Sequence, residues 1–262
     1  MSDIRLIAAL GSSYAAGPGI PPVDDPAAMR SSRNYAHLLA DHLDARLVDL
    51  SVSGATTDNI LRTDQISPTG ARFGPQIDRL PADADVVTVT AGGNDLQYIG
   101  FMLAAAWRQH APASQIAMLV AGMVSDPVPD PTNDDIERTA DGLAEVVDAV
   151  RERAPRARIV LVDYLTAITD RTVAGHDVPF SAADLTKAQR IQAALHDAHL
   201  LARNRSGAKL LSASSLSEAH ALGDPAPWVF GFFTDLNRVG ASFHPNAEGM
   251  AAVAEGLREL LG

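Results

Sequence analysis

The 262-residue chain is 47% hydrophobic, carries a formal net charge of −11 and contains no cysteine. An acidic surface repels phosphate backbones and anionic headgroups, so no nucleic-acid partner is expected. The missing cysteines exclude disulfides, thiolate metal sites and a cysteine nucleophile. The length fits one domain spanning residues 1–262.

The first ten residues, MSDIRLIAAL, lack the basic region, apolar region and cleavage site of a signal peptide. No apolar run reaches the roughly 18 residues needed to span a bilayer. We therefore expect a cytoplasmic protein without stable membrane insertion. A secreted chain whose signal peptide had been removed would show the same pattern.

Five short apolar segments are typical of strands. In chain order they are IRLIAAL from Ile4, ARLVDL from Ala45, DVVTVTA from Asp85, RIVLVDY from Arg158 and AKLLSAS from Ala208. Three of them are nearly continuous in apolar residues, which is expected of strands buried on both faces of a parallel sheet.

Amphipathic patterns between and after these segments predict four helices. Their predicted boundary residues are the N-caps Ser31 or Ser32, Thr132 or Asn133, and Asn246, and the terminators Pro155 and Gly207. Alternation of strands and helices requires right-handed crossovers and a parallel sheet covered on both sides. The fold class predicted is therefore α/β, a three-layer α/β/α sandwich around a five-stranded parallel sheet.

The segment LGSSYAAGPG follows the first predicted strand directly. A dinucleotide-binding turn is disfavoured, because Ser13 and Ala16 stand where the second and third glycines of G-x-G-x-x-G belong. A serine at the carboxyl end of a strand is a candidate nucleophile, although Ala15 breaks the G-x-S-x-G elbow. Taken alone, the segment fits an ordinary strand-to-helix turn.

Three further segments carry candidate site residues. Gly54 follows the second strand in SVSGAT, Asn94 follows the third in AGGND, and His244 precedes the last helix in FHPN. A glycine amide at a helix start and a carboxamide are both oxyanion donors, and a loop histidine is a candidate base. Each also has a simpler explanation: a turn glycine, a helix N-cap at Asn94 or Asp95, and a structural histidine.

Together, in this order and after these strands, the four segments resemble the SGNH hydrolases, the superfamily of GDSL-type esterases and lipases. The resemblance covers nearly the whole chain, and it implies a flavodoxin-like sandwich. It further implies that Ser13 attacks an ester carbonyl while His244 takes its proton. The oxyanion would be held by the backbone amides of Ser13 and Gly54 and by the side chain of Asn94. The implied partner is a small-molecule ester, and no cofactor or metal is implied.

This chain departs from the SGNH pattern at two positions. Ser12 replaces the aspartate that usually precedes the nucleophile, and Ala241 occupies the position three residues before His244 where an aspartate usually orients the imidazole. We therefore predict a Ser–His dyad in which a backbone carbonyl near Ala241 accepts the Nδ1 proton. Asp235 is the alternative orienting group.

Several interpretations stay open at this stage. A phospholipase or a carbohydrate deacetylase would use the same machinery, and a catalytically inactive binding module would keep the fold. His196 and His199, three residues apart, are expected on an exposed helix face rather than as metal ligands. The apolar segment after AGGND is expected in the core, with an acyl pocket as the alternative. The sequence leaves open the oligomeric state and whether residues 214–243 form a lid.

Overall fold

The computed structural model describes residues 4–125 and 127–262. Its strands are β1 (Leu6–Gly11), β2 (Val23–Asp25), β3 (Arg30–Ser31), β4 (Arg46–Asp49), β5 (Gln65–Ile66), β6 (Arg72–Phe73), β7 (Val86–Thr90), β8 (Arg158–Val162) and β9 (Lys209–Leu211). Its α-helices are α1 (Ser13–Ala16), α2 (Tyr35–Leu43), α3 (Thr57–Leu61), α4 (Tyr98–His110), α5 (Gln115–Ala121), α6 (Asn133–Arg153), α7 (Ala182–Ser206), α8 (Ala213–Leu216) and α9 (Ala247–Leu261). The five predicted strands and four predicted helices are present.

Five strands form one sheet in the order β4–β1–β7–β8–β9, and every pairing between neighbours is parallel. Ile7 of β1 pairs with Leu47 on one side and with Val86 on the other. This is the flavodoxin-like order, in which the first strand of the sheet lies between the second and the third. The predicted fold class is therefore confirmed.

Alternate residues of the central strands enter two separate apolar layers. On β1, Ile7 and Ala9 belong to one layer, whereas Ala8 and Leu10 belong to the other. Helices α2 and α9 pack on the first face, and α6 packs on the second. Because both faces are covered, every residue of β1 is buried, which explains its continuous apolar sequence.

Helix termini largely follow the sequence signals. Thr132 caps α6 in a capping box and Asn246 caps α9, while Gly207 ends α7 in the left-handed conformation. The N-cap predicted for the first long helix at Ser31 or Ser32 is wrong. Asn34 caps α2 instead, because its side chain accepts the amide of His37.

The carboxyl ends of three adjacent strands carry the predicted site residues. β1, β4 and β7 lead into the segments that contain Ser13, Gly54 and Asn94, respectively. Because the strands are parallel neighbours, these three segments open at the same edge of the sheet. The fold thus gathers positions that are far apart in the sequence.

Candidate active site

Ser13 begins the short helix α1 at the end of β1. The preceding Ser12 donates its amide to the carbonyl of Thr90 at 2.9 Å, so the turn stays against β7. At Gly11, with φ of 146°, a Cβ would lie 2.3 Å from that same carbonyl oxygen. Only glycine allows this close approach. The resulting turn places Ser13 at the edge of the sheet, where it is 7% exposed.

Asn94 lies beside the turn that contains Gly54. Its Nδ2 donates to the carbonyl of Ala55 at 2.8 Å, and a carboxamide nitrogen carries a second hydrogen for another acceptor. Gly54 is exposed and has φ of 88°, in the left-handed region. The hydrogen bond to Ala55 joins the loop after β7 to the loop after β4.

Asp95 ties the same turn to helix α3. Its carboxylate accepts the amide of Thr57 at 3.2 Å and the Thr57 hydroxyl at 2.6 Å. Burial raises the pKa of Asp95, and the hydrogen bonds from Thr57 act in the opposite direction. Helix α4 starts only at Tyr98 with Gln97 as its N-cap. Capping of this helix by Asn94 or Asp95 is therefore excluded, and Asn94 is left for a different role.

His244 is 5% exposed and precedes α9. Its Nδ1 lies 2.9 Å from the carbonyl oxygen of Ser242. A carbonyl only accepts, so Nδ1 carries the proton and Nε2 keeps its lone pair. Burial lowers the pKa of His244 to about 4, and its hydrogen bonds to the backbone partly oppose this shift. The imidazole is thus a neutral base held in one tautomer.

Tyr14 connects the loop of Ser13 to the loop of His244. Its ring centroid lies 5.7 Å from that of His244, and its hydroxyl donates to the carbonyl of Phe243 at 2.8 Å. The residue after the predicted nucleophile therefore contacts the predicted base and the residue before it. Through these contacts, the first and last parts of the chain meet at one edge of the sheet.

A model of the GDSL-like lipase/acylhydrolase family matches residues 9–252. The chain belongs to this family. Lipase 2 of Streptomyces coelicolor is 33% identical over 266 residues, which cover 97% of this chain and 85% of that protein. A lipase of Streptomyces rimosus is 26% identical over 251 residues, covering 93% of this chain and 81% of its own length. The chain is accordingly a carboxylic ester hydrolase of the GDSL (SGNH) type.

Solved structures share the fold of this chain. The extracellular lipase of Streptomyces rimosus superposes with a TM-score of 0.71 at 23% identity, covering 97% of this chain and 99% of that one. Phospholipase A1 of Streptomyces albidoflavus superposes with a TM-score of 0.70 at 20% identity, covering 98% and 99%. At these identities the likeness shows the shared fold alone.

A backbone carbonyl near Ala241 and the side chain of Asp235 are the two groups predicted to orient His244 in this GDSL hydrolase. The Ala241 carbonyl accepts the backbone amide of His244 at 3.1 Å, and this hydrogen bonding partly opposes the lowering of the His244 pKa by burial. Asp235 is exposed and accepts the amide of Asn237 at 2.9 Å within its own turn. Nδ1 itself lies 2.9 Å from the carbonyl oxygen of Ser242, the residue after Ala241, where Phe243 at φ of 63° turns the chain.

The histidine pair on α7 also differs from expectation. His199 is fully buried and its Nδ1 donates to the carbonyl of Leu195, so it does not lie on an exposed face. His196 is partly exposed, and its Nδ1 lies 3.1 Å from the buried carboxylate of Asp163, which raises the pKa of His196. Among residues 4–125 and 127–262, no cluster of three or more metal-ligating side chains occurs.

The apolar segment after AGGND forms α4 and α5. Phe101 and Trp107 are buried, in agreement with the core interpretation. A cavity of about 470 Å³ lies beside these helices and is lined by residues such as Phe101 and Met118. Of the described residues, those lining it do not include Ser13 or His244. Within the same described part of the chain, no helix combines the length and apolarity required to cross a bilayer.

Residues 214–243 are packed rather than loose against the rest of this hydrolase. Phe232 lies 5.3 Å from Trp107 and 6.1 Å from Phe243, measured between ring centroids. Trp228 stacks on His220 at 3.8 Å. The aromatic residues in this segment thus support the chain that leads into His244.

Proposed function

We propose that this GDSL hydrolase cleaves carboxylic esters through an acyl-enzyme on Ser13, with Ser13 and His244 acting as a dyad. The supporting observation is the neutral, oriented imidazole of His244, held by the Ser242 carbonyl and linked through Tyr14 to the loop of Ser13. A free Nε2 lone pair is what a general base needs to take a proton from a serine hydroxyl.

The reaction proceeds in two halves. In the first, Ser13 Oγ bonds to the ester carbonyl carbon while its proton passes to Nε2 of His244. The carbonyl oxygen becomes an oxyanion and receives hydrogen bonds from the amides of Ser13 and Gly54 and from Nδ2 of Asn94. Collapse breaks the bond to the alcohol oxygen, which leaves with the proton from His244. In the second half, water repeats these steps and releases the acid.

Lipid acyl esters are the substrates that we propose. The 33% identical relative is named Lipase 2, which favours a lipase over a carbohydrate deacetylase. The exposed apolar side chains Met118 and Leu119, at 61% and 69% exposure, would favour contact with dispersed lipid. Phospholipids are the alternative substrate class, because a phospholipase would use the same site.

The proposed nucleophile can be tested by covalent labelling. Diethyl p-nitrophenyl phosphate should release about one equivalent of p-nitrophenol per chain and leave a diethylphosphoryl group on Ser13. Esterase activity should disappear in proportion to labelling, and peptide mass spectrometry locates the adduct. An adduct on another residue would refute the assignment, and no adduct with no turnover would indicate the inactive binding module.

The pH profile tests the role of His244. The base acts only when neutral, and burial lowers its pKa to about 4. Activity therefore stays constant as pH falls until it approaches this value, and then declines about tenfold per pH unit. We expect kcat/KM for a neutral ester to be flat between roughly pH 6 and pH 8, with an acid limb far below the ordinary histidine value. A limb centred near 6.5 would contradict the buried, carbonyl-held base.

Asp235→Asn is the control for this profile. Because Asp235 is exposed and bonds within its own turn, its neutralisation should leave both the limb and the rate unchanged. A loss of roughly 10⁴-fold would instead identify Asp235 as the group that orients His244.

A further inference from the structure

A buried tyrosine joins the loop of the proposed nucleophile to the loop of the proposed oxyanion donor. Tyr164 follows the end of β8 and is 5% exposed. Its hydroxyl lies 2.9 Å from the Oγ of Ser12 and accepts the amide of Gly93 at 3.1 Å. Ser12 and Gly93 each directly precede a proposed site residue, namely Ser13 and Asn94.

The contact with Gly93 is too close for any other residue. A Cβ at this position would lie 2.7 to 2.8 Å from the ring carbon atoms and hydroxyl of Tyr164. Tyr164 is therefore in close contact with both the AGGND turn and the GSSY loop. Ser12 is fully buried, so its hydroxyl has no bulk water to replace this partner.

The ring of Tyr164 also contacts the segment that leads to His244, through Tyr14. It stacks on Tyr14 with centroids 4.3 Å apart, and Tyr14 in turn donates to the carbonyl of Phe243. The two tyrosines thus hold the residue that directly precedes each proposed site residue: Ser12 before Ser13, Gly93 before Asn94, and Phe243 before His244. Side chains packed in this way hold one relative placement.

We propose that Tyr164 is a positioning residue that sets the distance between Ser13 Oγ and the Nδ2 donor of Asn94 through its hydrogen bonds to Ser12 and Gly93. The inference rests on the proposed function. Displacement of a reacting group by about 1 Å can lower the rate as much as 100-fold. Loss of the Tyr164 hydroxyl should therefore lower kcat although Tyr164 does not contact the substrate.

A kinetic double-mutant cycle tests this role. Tyr164→Phe keeps the stacked ring and should lower kcat about 10- to 100-fold with KM little changed. In an Asn94→Ala background, where the positioned donor is gone, the same substitution should lower kcat by less than about twofold. Rates are taken per site titrated with diethyl p-nitrophenyl phosphate, so unfolded protein does not contribute. Ser12→Ala removes one of these two hydrogen bonds from its other end, and it should lower kcat in the same direction but by less.

Tyr35→Phe is the matched control. Tyr35 is also a buried tyrosine, and its hydroxyl bonds to Thr90 Oγ1 at 2.8 Å on the central sheet. Both tyrosine variants should unfold at lower temperature, but only Tyr164→Phe should change kcat per titrated site. Three results would overturn the role of Tyr164 and leave the proposed function intact: additive effects in the cycle, an unchanged kcat in Tyr164→Phe, or an equal loss of kcat in Tyr35→Phe. A wild-type protein that neither turns over esters nor labels at Ser13 would overturn the proposed function as well.

Discussion

Replacing Ser13 with alanine should lower kcat for a soluble p-nitrophenyl ester on the order of 10⁵- to 10⁶-fold, with KM little changed. The hydroxyl forms and breaks the covalent bond in both halves of the proposed reaction, so no other group takes its place. The oxyanion donors are retained, and they should leave a residual acceleration of roughly 10³- to 10⁴-fold over water. Initial rates and the absence of a p-nitrophenol burst measure the loss.

Ser12→Ala is the control that identifies the nucleophile. The two serines are adjacent and both buried, so the substitutions are equivalent in size and place. Ser12 bonds to Tyr164 and precedes the helix that starts at Ser13, so its loss should cost far less activity. If Ser12→Ala abolishes turnover and Ser13→Ala does not, the nucleophile has been assigned to the wrong residue.

The strands and the order of the site residues could be predicted from the sequence because burial on both faces leaves a clear apolar pattern. Strand β1 is buried throughout, and its predicted segment is wholly apolar after Arg5. The antiparallel pairs β2–β3 and β5–β6 contain only two or three residues per strand. Segments this short have no periodicity to detect, so the sequence does not predict them.

The sequence predicts a backbone carbonyl near Ala241 as the partner of His244 Nδ1, but which carbonyl it is depends on backbone geometry in an irregular segment. Phe243 adopts φ of 63°, which an aromatic residue rarely does, and this turn brings the Ser242 carbonyl to Nδ1. The role of Tyr164 was equally hidden, since it lies 152 positions from its partner Ser12.

Removal of the Asn94 side chain should lower kcat about 100- to 1,000-fold, with a smaller effect on KM. In the proposed mechanism, Nδ2 donates to an oxygen that becomes charged only in the transition state, so its loss lowers the rate more than it weakens ester binding. Affinity for a boronic acid analogue, which forms a tetrahedral adduct, should fall in parallel with kcat. Affinity for the carboxylic acid product should change little. Equal losses for both ligands would show that Asn94 supports the pocket and is not an oxyanion donor.

Asn94→Ala also removes a hydrogen bond to the Ala55 carbonyl, so loosening of the α3 segment has to be separated from loss of the donor. Asn59→Ala provides that control. Asn59 completes the capping box of α3 through its contacts with Thr56 at 2.9 and 3.1 Å, and it is partly exposed. Its removal should destabilise the start of α3 by about 1 kcal/mol while kcat changes by less than about threefold. If Asn59→Ala lowers kcat as much as Asn94→Ala, the rate depends on the stability of this segment, and the oxyanion assignment of Asn94 is wrong.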